Sequence, residues 1–268
     1  MQLSLASKVA LITGGSRGIG AAAVRMFVQA GAKVAFNYQA AKAQANALVR
    51  EVSAKNCRAF QSDLSTTEAG GQLVSAAIAA FGRLDILVAN HGIWPPDDAP
   101  VDRMSDEQWH RSIAVNLDSV FALIKHSVGQ MKKQGGDLTQ RGEGGRSGDA
   151  SGHIVLVSST AGQRGEAFHC DYAATKGALI SMVKGLSTEL ARDGIRVNCV
   201  APGWVATDMS AGALSDPPTR DKVLATIPLG RVGTPEEIAA PILFLCTPHA
   251  GFITGEIFNV NGGAVLAG

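Results

Sequence analysis

Tyr172 and Lys176 are the residues of this sequence whose types and spacing could do acid–base chemistry. Side chains four residues apart on a helix lie on the same face. A phenol normally titrates near pH ~10, which is too high for efficient proton transfer at neutral pH. A nearby ammonium group stabilises the phenolate and lowers that pKa. The pair could therefore give or take a proton, but such pairs are common on helices and indicate no reaction by themselves.

A second candidate is a glycine-rich turn, because residues 13–20 read TGGSRGIG directly after an apolar run. Gly14, Gly18 and Gly20 are the fixed positions of a TGxxxGxG pattern. Missing side chains permit a tight turn and let the backbone approach a pyrophosphate at the positive end of the next helix. The turn, with Ser16 and Ile19, predicts a dinucleotide site. An S-adenosylmethionine methyltransferase remains an alternative on this feature alone.

The end of the second apolar run bears on which dinucleotide would bind. NAD-selective sites usually place an acidic residue there, and it binds the ribose 2′-hydroxyl. This chain has the neutral Asn37, and Arg17 lies in the glycine turn beside Ser16. A guanidinium can pair with a 2′-phosphate through charge-assisted hydrogen bonds, whereas a carboxylate would repel it. The sequence therefore favours NADP(H) over NAD(H), unless Arg17 is only a solvated loop charge.

Short apolar runs alternate with helical patterns along most of the 268 residues. The runs are rich in Val, Ile and Leu without clean alternation, which is typical of parallel strands covered on both faces. We therefore expect an α/β fold, a doubly wound (Rossmann) parallel sheet with helices on both faces, in a single domain over residues 1–268. The predicted strands are 9–13, 33–37, a short strand just before Asp63, 84–89, 153–158, 196–201 and 257–260.

One segment interrupts this alternation. Residues 134–152 contain seven glycines, several charges and a single large aliphatic residue, Leu138. Such a composition cannot bury enough apolar surface to offset the entropy of ordering the chain, so it predicts a mobile surface loop. A functional lid is the alternative.

The composition argues against several classes of protein. The chain has 24 Lys and Arg against 23 Asp and Glu, so bulk electrostatics predicts no nucleic-acid partner. The spacing of the cysteines and histidines predicts no metal site. We expect no membrane span, because no segment approaches the roughly 20 apolar residues required. With no signal-like start, we expect a cytoplasmic protein.

Several motifs follow one another in a recognisable order. After the glycine turn come Asn90, His91 and Gly92, then Asn116, Ser159, the Tyr172 and Lys176 pair, and Pro202 with Gly203. Together they resemble the short-chain dehydrogenase/reductase family, especially its 3-oxoacyl-carrier-protein-reductase-like members. The resemblance covers the whole chain and implies an NADP(H)-dependent oxidoreductase. Such an enzyme transfers a hydride between a nicotinamide and a carbonyl or alcohol, here including a 3-oxoacyl thioester.

The resemblance also implies catalytic roles. Tyr172 resembles the acid that protonates the substrate oxygen during reduction. Lys176 resembles the residue that holds the nicotinamide ribose hydroxyls and depresses the pKa of the tyrosine. Ser159 is similar to the serine that hydrogen-bonds the carbonyl oxygen. Asn116 resembles the asparagine that seats a water linking the lysine to solvent.

Further cofactor contacts are implied at matching positions. Asp63 and Leu64 resemble the pair beside the adenine, and Asn90 lies where the family backs the cofactor ribose. Val205 and Thr207 match positions that contact the nicotinamide amide. The usual Asn-Asn-Ala-Gly motif is altered at residues 89–92, which read ANHG. The bulkier His91 could approach the nicotinamide or the substrate.

The substrate is less well determined than the chemistry. Residues 207–231 would fold over it by resemblance, and Trp94, Phe168, His169 and Trp204 are candidate pocket walls. We expect a small-molecule carbonyl or alcohol as the partner, and a homotetramer as in the family. Two alternatives stay open, an NAD-dependent alcohol, sugar or steroid dehydrogenase of the same family and a non-catalytic dinucleotide-sensing protein.

Overall fold

A computed structural model of the chain describes residues 3–135 and 151–266. Within these residues, seven parallel strands form one sheet in the order β3-β2-β1-β4-β5-β6-β7. The strands are β1 (Val9–Ile12), β2 (Lys33–Tyr38), β3 (Cys57–Gln61), β4 (Ile86–Ala89), β5 (Gly152–Val157), β6 (Ile195–Pro202) and β7 (Ile257–Val260). The prediction of a doubly wound parallel sheet is confirmed.

Helices connect the strands and cover both faces of the sheet. They are α1 (Gly18–Gln29), α2 (Lys42–Val52), α3 (Thr67–Phe81), α4 (Asp106–Ile113), α5 (Ser119–Gly135), α6 (Ala161–Arg164), α7 (Cys170–Leu190), α8 (Asp208–Ser215), α9 (Pro217–Ala225) and α10 (Pro235–Leu245). A π-helical turn, Ala114–Asp118, joins α4 to α5. Short 3₁₀ turns lie at Ala191–Asp193 and Pro248–Ala250.

The core has two parts, one on each face of the sheet. One apolar cluster joins the sheet to α1, α2 and α10, and the other joins it to α3, α5 and α7. Strands β1, β4 and β5 are buried at every residue, as expected of strands covered on both sides. Their long apolar runs in the sequence therefore follow from their central position.

The strand order places a crevice at one edge of the sheet. Strand β1 pairs with β2 on one side and with β4 on the other. Because the chain winds in opposite directions from β1, the loops after β1 and β4 diverge, and ligands of such sheets bind at this point. The glycine turn follows β1, and the segment that starts at Asn90 follows β4.

The structure changes the predicted limits of the glycine-rich segment. Gln134 and Gly135 are the last residues of α5, and Gly152 begins β5. Gln134 stays helical because its side chain binds the backbone of Leu84, accepting from the nitrogen at 2.8 Å and donating to the oxygen at 2.8 Å. The rest of the predicted loop, residues 136–150, lies outside the described residues.

The other differences at strand ends are small. Strand β4 begins at Ile86 rather than at residue 84, and β6 extends to Pro202. Such shifts of one or two residues are usual where hydrogen bonding fades at the end of an element. Among the described residues, no helix is long and apolar enough to cross a membrane.

Candidate active site

One cleft of about 890 Å³ runs along the carboxyl edge of the sheet. Its lining joins the glycine turn at one end to the Tyr172 region at the other. Gly20 and Asn116 are the predicted site residues that do not line it. The predicted residues that do are Gly14, Ser16, Arg17, Gly18, Ile19, Asn37, Asp63, Leu64, Asn90, Ser159, Tyr172, Lys176, Val205 and Thr207.

The glycine turn brings backbone amides to the floor of the cleft. Gly14 has a φ of 64°, a left-handed conformation that favours glycine. A Cβ on Gly20 would overlap the Gly14 carbonyl oxygen, so the turn and the first turn of α1 can pack this closely only without a side chain there. Helix α1 begins at Gly18 with no side chain capping it. Free amides at a helix N-terminus suit a phosphate group, so the turn fits a dinucleotide pyrophosphate.

The sequence suggested that Asn37 would lie beside the cofactor ribose, but its side chain is bound to two backbone groups. Its side-chain oxygen accepts a hydrogen bond from the Gly14 nitrogen at 2.8 Å, and its side-chain nitrogen donates to the Ser62 oxygen at 3.1 Å. Only 4% of the residue is exposed. Asn37 therefore ties the glycine turn to the end of β3, and its amide is already occupied by the backbone.

Asn90 and Thr13 hold the glycine turn from the other side. The Asn90 side chain donates to the Thr13 carbonyl at 3.0 Å, and the Thr13 hydroxyl oxygen accepts from the amides of Asn90 at 3.0 Å and His91 at 3.2 Å. The turn is thus fixed between the ends of β2 and β4 before any ligand binds.

His91 is a structural link in this network. Its Nδ1 lies 2.7 Å from the Thr13 hydroxyl, and its Nε2 lies 2.7 Å from the Ser119 hydroxyl and 3.1 Å from the Val115 oxygen. Because Ser119 donates its own proton to Val115, it accepts from His91, which assigns the neutral Nε2–H tautomer. Burial and the Lys176 ammonium lower the pKa of His91 to about 3. The ring lines the cleft, but both of its nitrogens are engaged within the protein.

The π-helical turn Ala114–Asp118 positions Asn116, which is fully buried. The Asn116 side-chain oxygen accepts from the Ile93 nitrogen at 2.8 Å, and its nitrogen donates to the Ile93 oxygen at 2.9 Å. A Cβ on Gly92 would lie 3.1 Å from the Asn116 oxygen and 3.3 Å from Lys176 Nζ, so Gly92 leaves room between these groups. Single π-helical turns inside helices often occur at functional sites.

Tyr172 and Lys176 lie in the first turns of α7 and face the cleft. Lys176 Nζ donates to the Val157 oxygen at 3.0 Å and lies 5.7 Å from the centre of the Tyr172 ring. Burial lowers the pKa of Lys176 to about 8. Burial also raises the pKa of Tyr172 to about 12, although hydrogen bonding with Ser159 opposes the rise.

The resemblance implies that Lys176 lowers the pKa of Tyr172, whereas in the structure this pKa is raised. Desolvation of the phenolate outweighs the hydrogen bond with Ser159, and burial also destabilises the charge of Lys176. The phenol is therefore protonated at neutral pH. In that state it can donate a proton to an oxygen bound in the cleft.

Aromatic residues form the wall near Tyr172. Trp94 and Trp204 line the cleft, with ring centroids 6.3 Å apart in an edge-to-face arrangement. His169, by contrast, is stacked on Trp94 at 4.8 Å and does not line the cleft, while 52% of Phe168 is exposed. Two of the four predicted wall residues thus form the wall, and His169 supports it.

Comparison with known proteins identifies the family. A family model described as enoyl-(acyl carrier protein) reductase matches residues 14–265. A 3-oxoacyl-[acyl-carrier-protein] reductase from Synechocystis is 38% identical over 98% of this chain and 99% of its own length. One from Chlamydia muridarum is 38% identical over the same shares. The chain belongs to the short-chain dehydrogenase/reductase family.

Solved structures agree with this membership. A short-chain dehydrogenase/reductase from Brucella melitensis, named glucose/ribitol dehydrogenase, has a TM-score of 0.87 and 34% identity over 100% of both chains. A 3-ketoacyl-(acyl-carrier-protein) reductase from the same organism, complexed with NADH, has a TM-score of 0.85 and 32% identity over 98% of this chain and 100% of its own. The chain is an oxidoreductase of this family that uses a nicotinamide dinucleotide.

Four charged residues that line this short-chain dehydrogenase/reductase cleft belong to no recognisable motif and were missed in the sequence. Arg111, Arg164, Glu166 and Asp208 all line it. Asp208 forms an exposed ion pair with Arg17 at 3.3 Å. Charged residues are common in any sequence, so only the fold shows that these four reach the cleft. Successive side chains of a strand point to opposite faces of the sheet. Counting along β2 was therefore the one available indication of the face on which Asn37 lies.

Proposed function

We propose that the chain is an NADPH-preferring reductase of 3-oxoacyl thioesters. The observation that carries the proposal is a cleft that joins the glycine turn to a protonated, half-buried Tyr172 beside Ser159 and Lys176. The names of the relatives from Synechocystis and Chlamydia support the substrate class. Arg17 at the glycine turn supports the preference for NADPH.

In this proposal Tyr172 gives the proton. Its hydroxyl donates to the substrate carbonyl oxygen as negative charge develops there, and the Ser159 hydroxyl hydrogen-bonds the same oxygen. The Lys176 ammonium stabilises the phenolate that remains and holds the cofactor ribose hydroxyls. Asn116 fixes the backbone beside Lys176 and seats a water that links the lysine to solvent. A bound nicotinamide dinucleotide supplies the hydride.

The same proposal assigns the groups that bind the cofactor. The amides of Ser16, Gly18 and Ile19 face the pyrophosphate, and Arg17 pairs with the 2′-phosphate. Gly14 and Gly20 let the turn pack closely enough for this contact. Asp63 and Leu64 lie beside the adenine, Asn90 backs the ribose, and Val205 and Thr207 contact the nicotinamide amide. Asn37 contributes by holding Gly14 in place.

The test is turnover of S-acetoacetyl-N-acetylcysteamine, a small 3-oxoacyl thioester, followed by the loss of NADPH absorbance. Tyr172→Phe should lower kcat by about 10²- to 10⁴-fold, the usual contribution of general acid catalysis, while NADPH binding is retained. Tyr38 is the matched control, because it lines the same cleft and Tyr38→Phe also removes one phenol oxygen. The proposal is wrong if the thioester is not reduced or if Tyr172→Phe is as active as Tyr38→Phe.

Three further features stay predictions. They are the homotetramer, the cytoplasmic location and the cover over the substrate formed by residues 207–231. Residues 207–231 contain α8 and α9, and Met209 of α8 lines the cleft, which supports the last of these predictions.

A further inference from the structure

The loop between α6 and α7 has a strained backbone. Phe168 has a φ of 65°, a left-handed conformation that is rare for an aromatic residue. Gly165, at the start of the loop, has a φ of 77°. Strain of this kind persists only where the surroundings enforce it, and it often marks a functional segment.

Contacts with the loop after β4 enforce the strained conformation. The Ala99 nitrogen donates to the Phe168 oxygen at 3.0 Å, and His169 Nε2 lies 2.9 Å from the Pro95 oxygen. The buried His169 ring stacks on Trp94 with an interplanar angle of 16°. The two loops thus form one wall of the cleft.

This wall carries a carboxylate into the cleft. Glu166 is half-buried and lines the cavity together with Tyr172. Burial raises the pKa of Glu166, while His169, Arg164 and hydrogen bonding with Trp94 lower it. The carboxylate in turn raises the pKa of Tyr172, so the two groups are close enough to interact electrostatically.

A negative charge at this place bears on which carbonyl compounds can react. In a free 3-oxo acid the carboxylate is separated from the reacting carbonyl by one carbon. When that carbonyl oxygen meets Tyr172, the carboxylate of the substrate lies in the cleft that Tyr172 and Glu166 both line. Like charges repel more strongly in a partly enclosed site than in water. An ester or thioester of the same acid carries no charge and meets no such repulsion.

We propose that Glu166 is a specificity-determining residue that excludes free 3-oxo acids and admits the same acyl groups as neutral thioesters or esters. This inference rests on the proposed function. The inference adds to that function a preference for acyl groups that are neutral next to the reacting carbonyl.

The cations that line the cleft oppose this selection. Arg17 lies at the glycine turn, and the Lys176 ammonium donates to a backbone oxygen of β5 and, in the proposed function, to the cofactor ribose. Arg111 and Arg164 line the cavity, but both are exposed to solvent, where a charge is screened. Glu166 is less exposed than either Arg111 or Arg164. We therefore expect repulsion by the carboxylate to exceed attraction by the two guanidinium groups.

The test compares acetoacetate, which is an anion, with ethyl acetoacetate, which is neutral and has the same acyl group. The variant is Glu166→Gln, which keeps the shape and the side-chain oxygen that faces Trp94. It should raise kcat/KM for acetoacetate by about tenfold to a hundredfold, and change kcat/KM for the ester by less than about threefold. Glu68→Gln, an exposed change on α3 with the same effect on net charge, should leave both values unchanged.

Equilibrium binding gives a second readout that needs no turnover. In the absence of oxidised cofactor, 3-hydroxybutyrate and its methyl ester bind but cannot be oxidised. Quenching of tryptophan fluorescence can then report their binding. Glu166→Gln should tighten binding of the anion alone. If Glu166→Gln leaves the ratio of anion to ester unchanged in both assays, or if the unmodified enzyme prefers the anion, the inference is overturned. If the unmodified enzyme reduces neither ethyl acetoacetate nor the thioester, the proposed function fails, and the inference fails with it.

Discussion

Tyr172 and Lys176 share one environment, yet burial moves their pKa values in opposite directions. The charged form is the deprotonated phenolate for Tyr172 and the protonated ammonium for Lys176, and burial disfavours both. The pKa of Tyr172 therefore rises to about 12, and that of Lys176 falls to about 8. Both residues are mostly protonated at neutral pH, which is the state required for reduction.

This pair predicts the pH dependence of cofactor use. As the pH rises through about 8, Lys176 loses its proton while Tyr172 keeps its own. We expect kcat/KM for NADPH to fall above that pH as one group titrates, because this parameter reports the free enzyme. The Kd of NADPH, measured by fluorescence across the same range, should rise in parallel. In Lys176→Met binding should be weak and independent of pH in this range, and a wild-type profile that stays flat through pH 8 contradicts the assignment.

The position of Arg17 at the glycine turn predicts the choice of cofactor. Arg17→Ala should lower kcat/KM for NADPH by about ten- to a hundredfold, because a hydrogen bond to a charged group contributes roughly 1.5–3 kcal/mol. The value for NADH should hardly change. Asp208→Asn is the control, since it breaks the ion pair with Arg17 but keeps the guanidinium. An unmodified enzyme that prefers NADH would refute the role of Arg17.

The sequence could predict residues whose roles depend on order and spacing along the chain. The glycine turn and the Tyr172 and Lys176 pair are of this kind, and the cleft contains them. It could not predict the direction of the Asn37 side chain, which depends on the face of β2 that meets the glycine turn. Asn37→Asp is consequently a poor test of cofactor choice, because a carboxylate oxygen would then face the Ser62 carbonyl. Glu166 was missed because its position in the cleft depends on the packing of its loop against the loop after β4.

The helices and strands were predictable where burial imposes a period on the apolar residues. The π-helical turn at Ala114–Asp118 was not, because it departs from the 3.6-residue repeat on which the prediction rests. The end of α5 was missed for a related reason. Gln134 looks like a polar loop residue, but its amide binds both backbone groups of Leu84, which is fully buried.

The two hydrogen bonds between the Gln134 side chain and the Leu84 backbone form a clamp, and its removal should lower stability. Gln134→Ala leaves the nitrogen and oxygen of Leu84 without their partner, and an unsatisfied buried polar group costs about 1–3 kcal/mol. We expect the free energy of unfolding in urea to fall by at least that amount. Gln130→Ala is the control, because Gln130 donates to the Gln134 side chain at 2.7 Å and has no bond to Leu84. Equal losses in the two variants would show that the clamp on Leu84 contributes little.

For the whole molecule, the described surface leaves two areas that suit contact with further copies. The outer face of α7 has small exposed residues, Ser181 and Gly185, and Phe121 on α5 is 53% exposed. Strand β7 is an edge of the sheet, and Phe258 on it is 36% exposed. Small residues permit close approach of a partner helix, and exposed edge strands with apolar side chains are usually covered in stable proteins.

Two separate surfaces on each copy, each related by a two-fold axis, would close into a tetramer. We therefore predict a homotetramer, and light scattering should give four times the 27.7 kDa chain mass. A Cβ on Gly185 meets nothing within 4 Å among the described residues, so Gly185→Arg should leave the fold intact and block a partner helix. That variant should be a dimer held by the β7 edge, whereas Ala80→Arg, on the exposed face of α3, should remain a tetramer. A monomer at micromolar concentration for the unmodified chain would refute the prediction, and a tetrameric Gly185→Arg would show that α7 is not the interface.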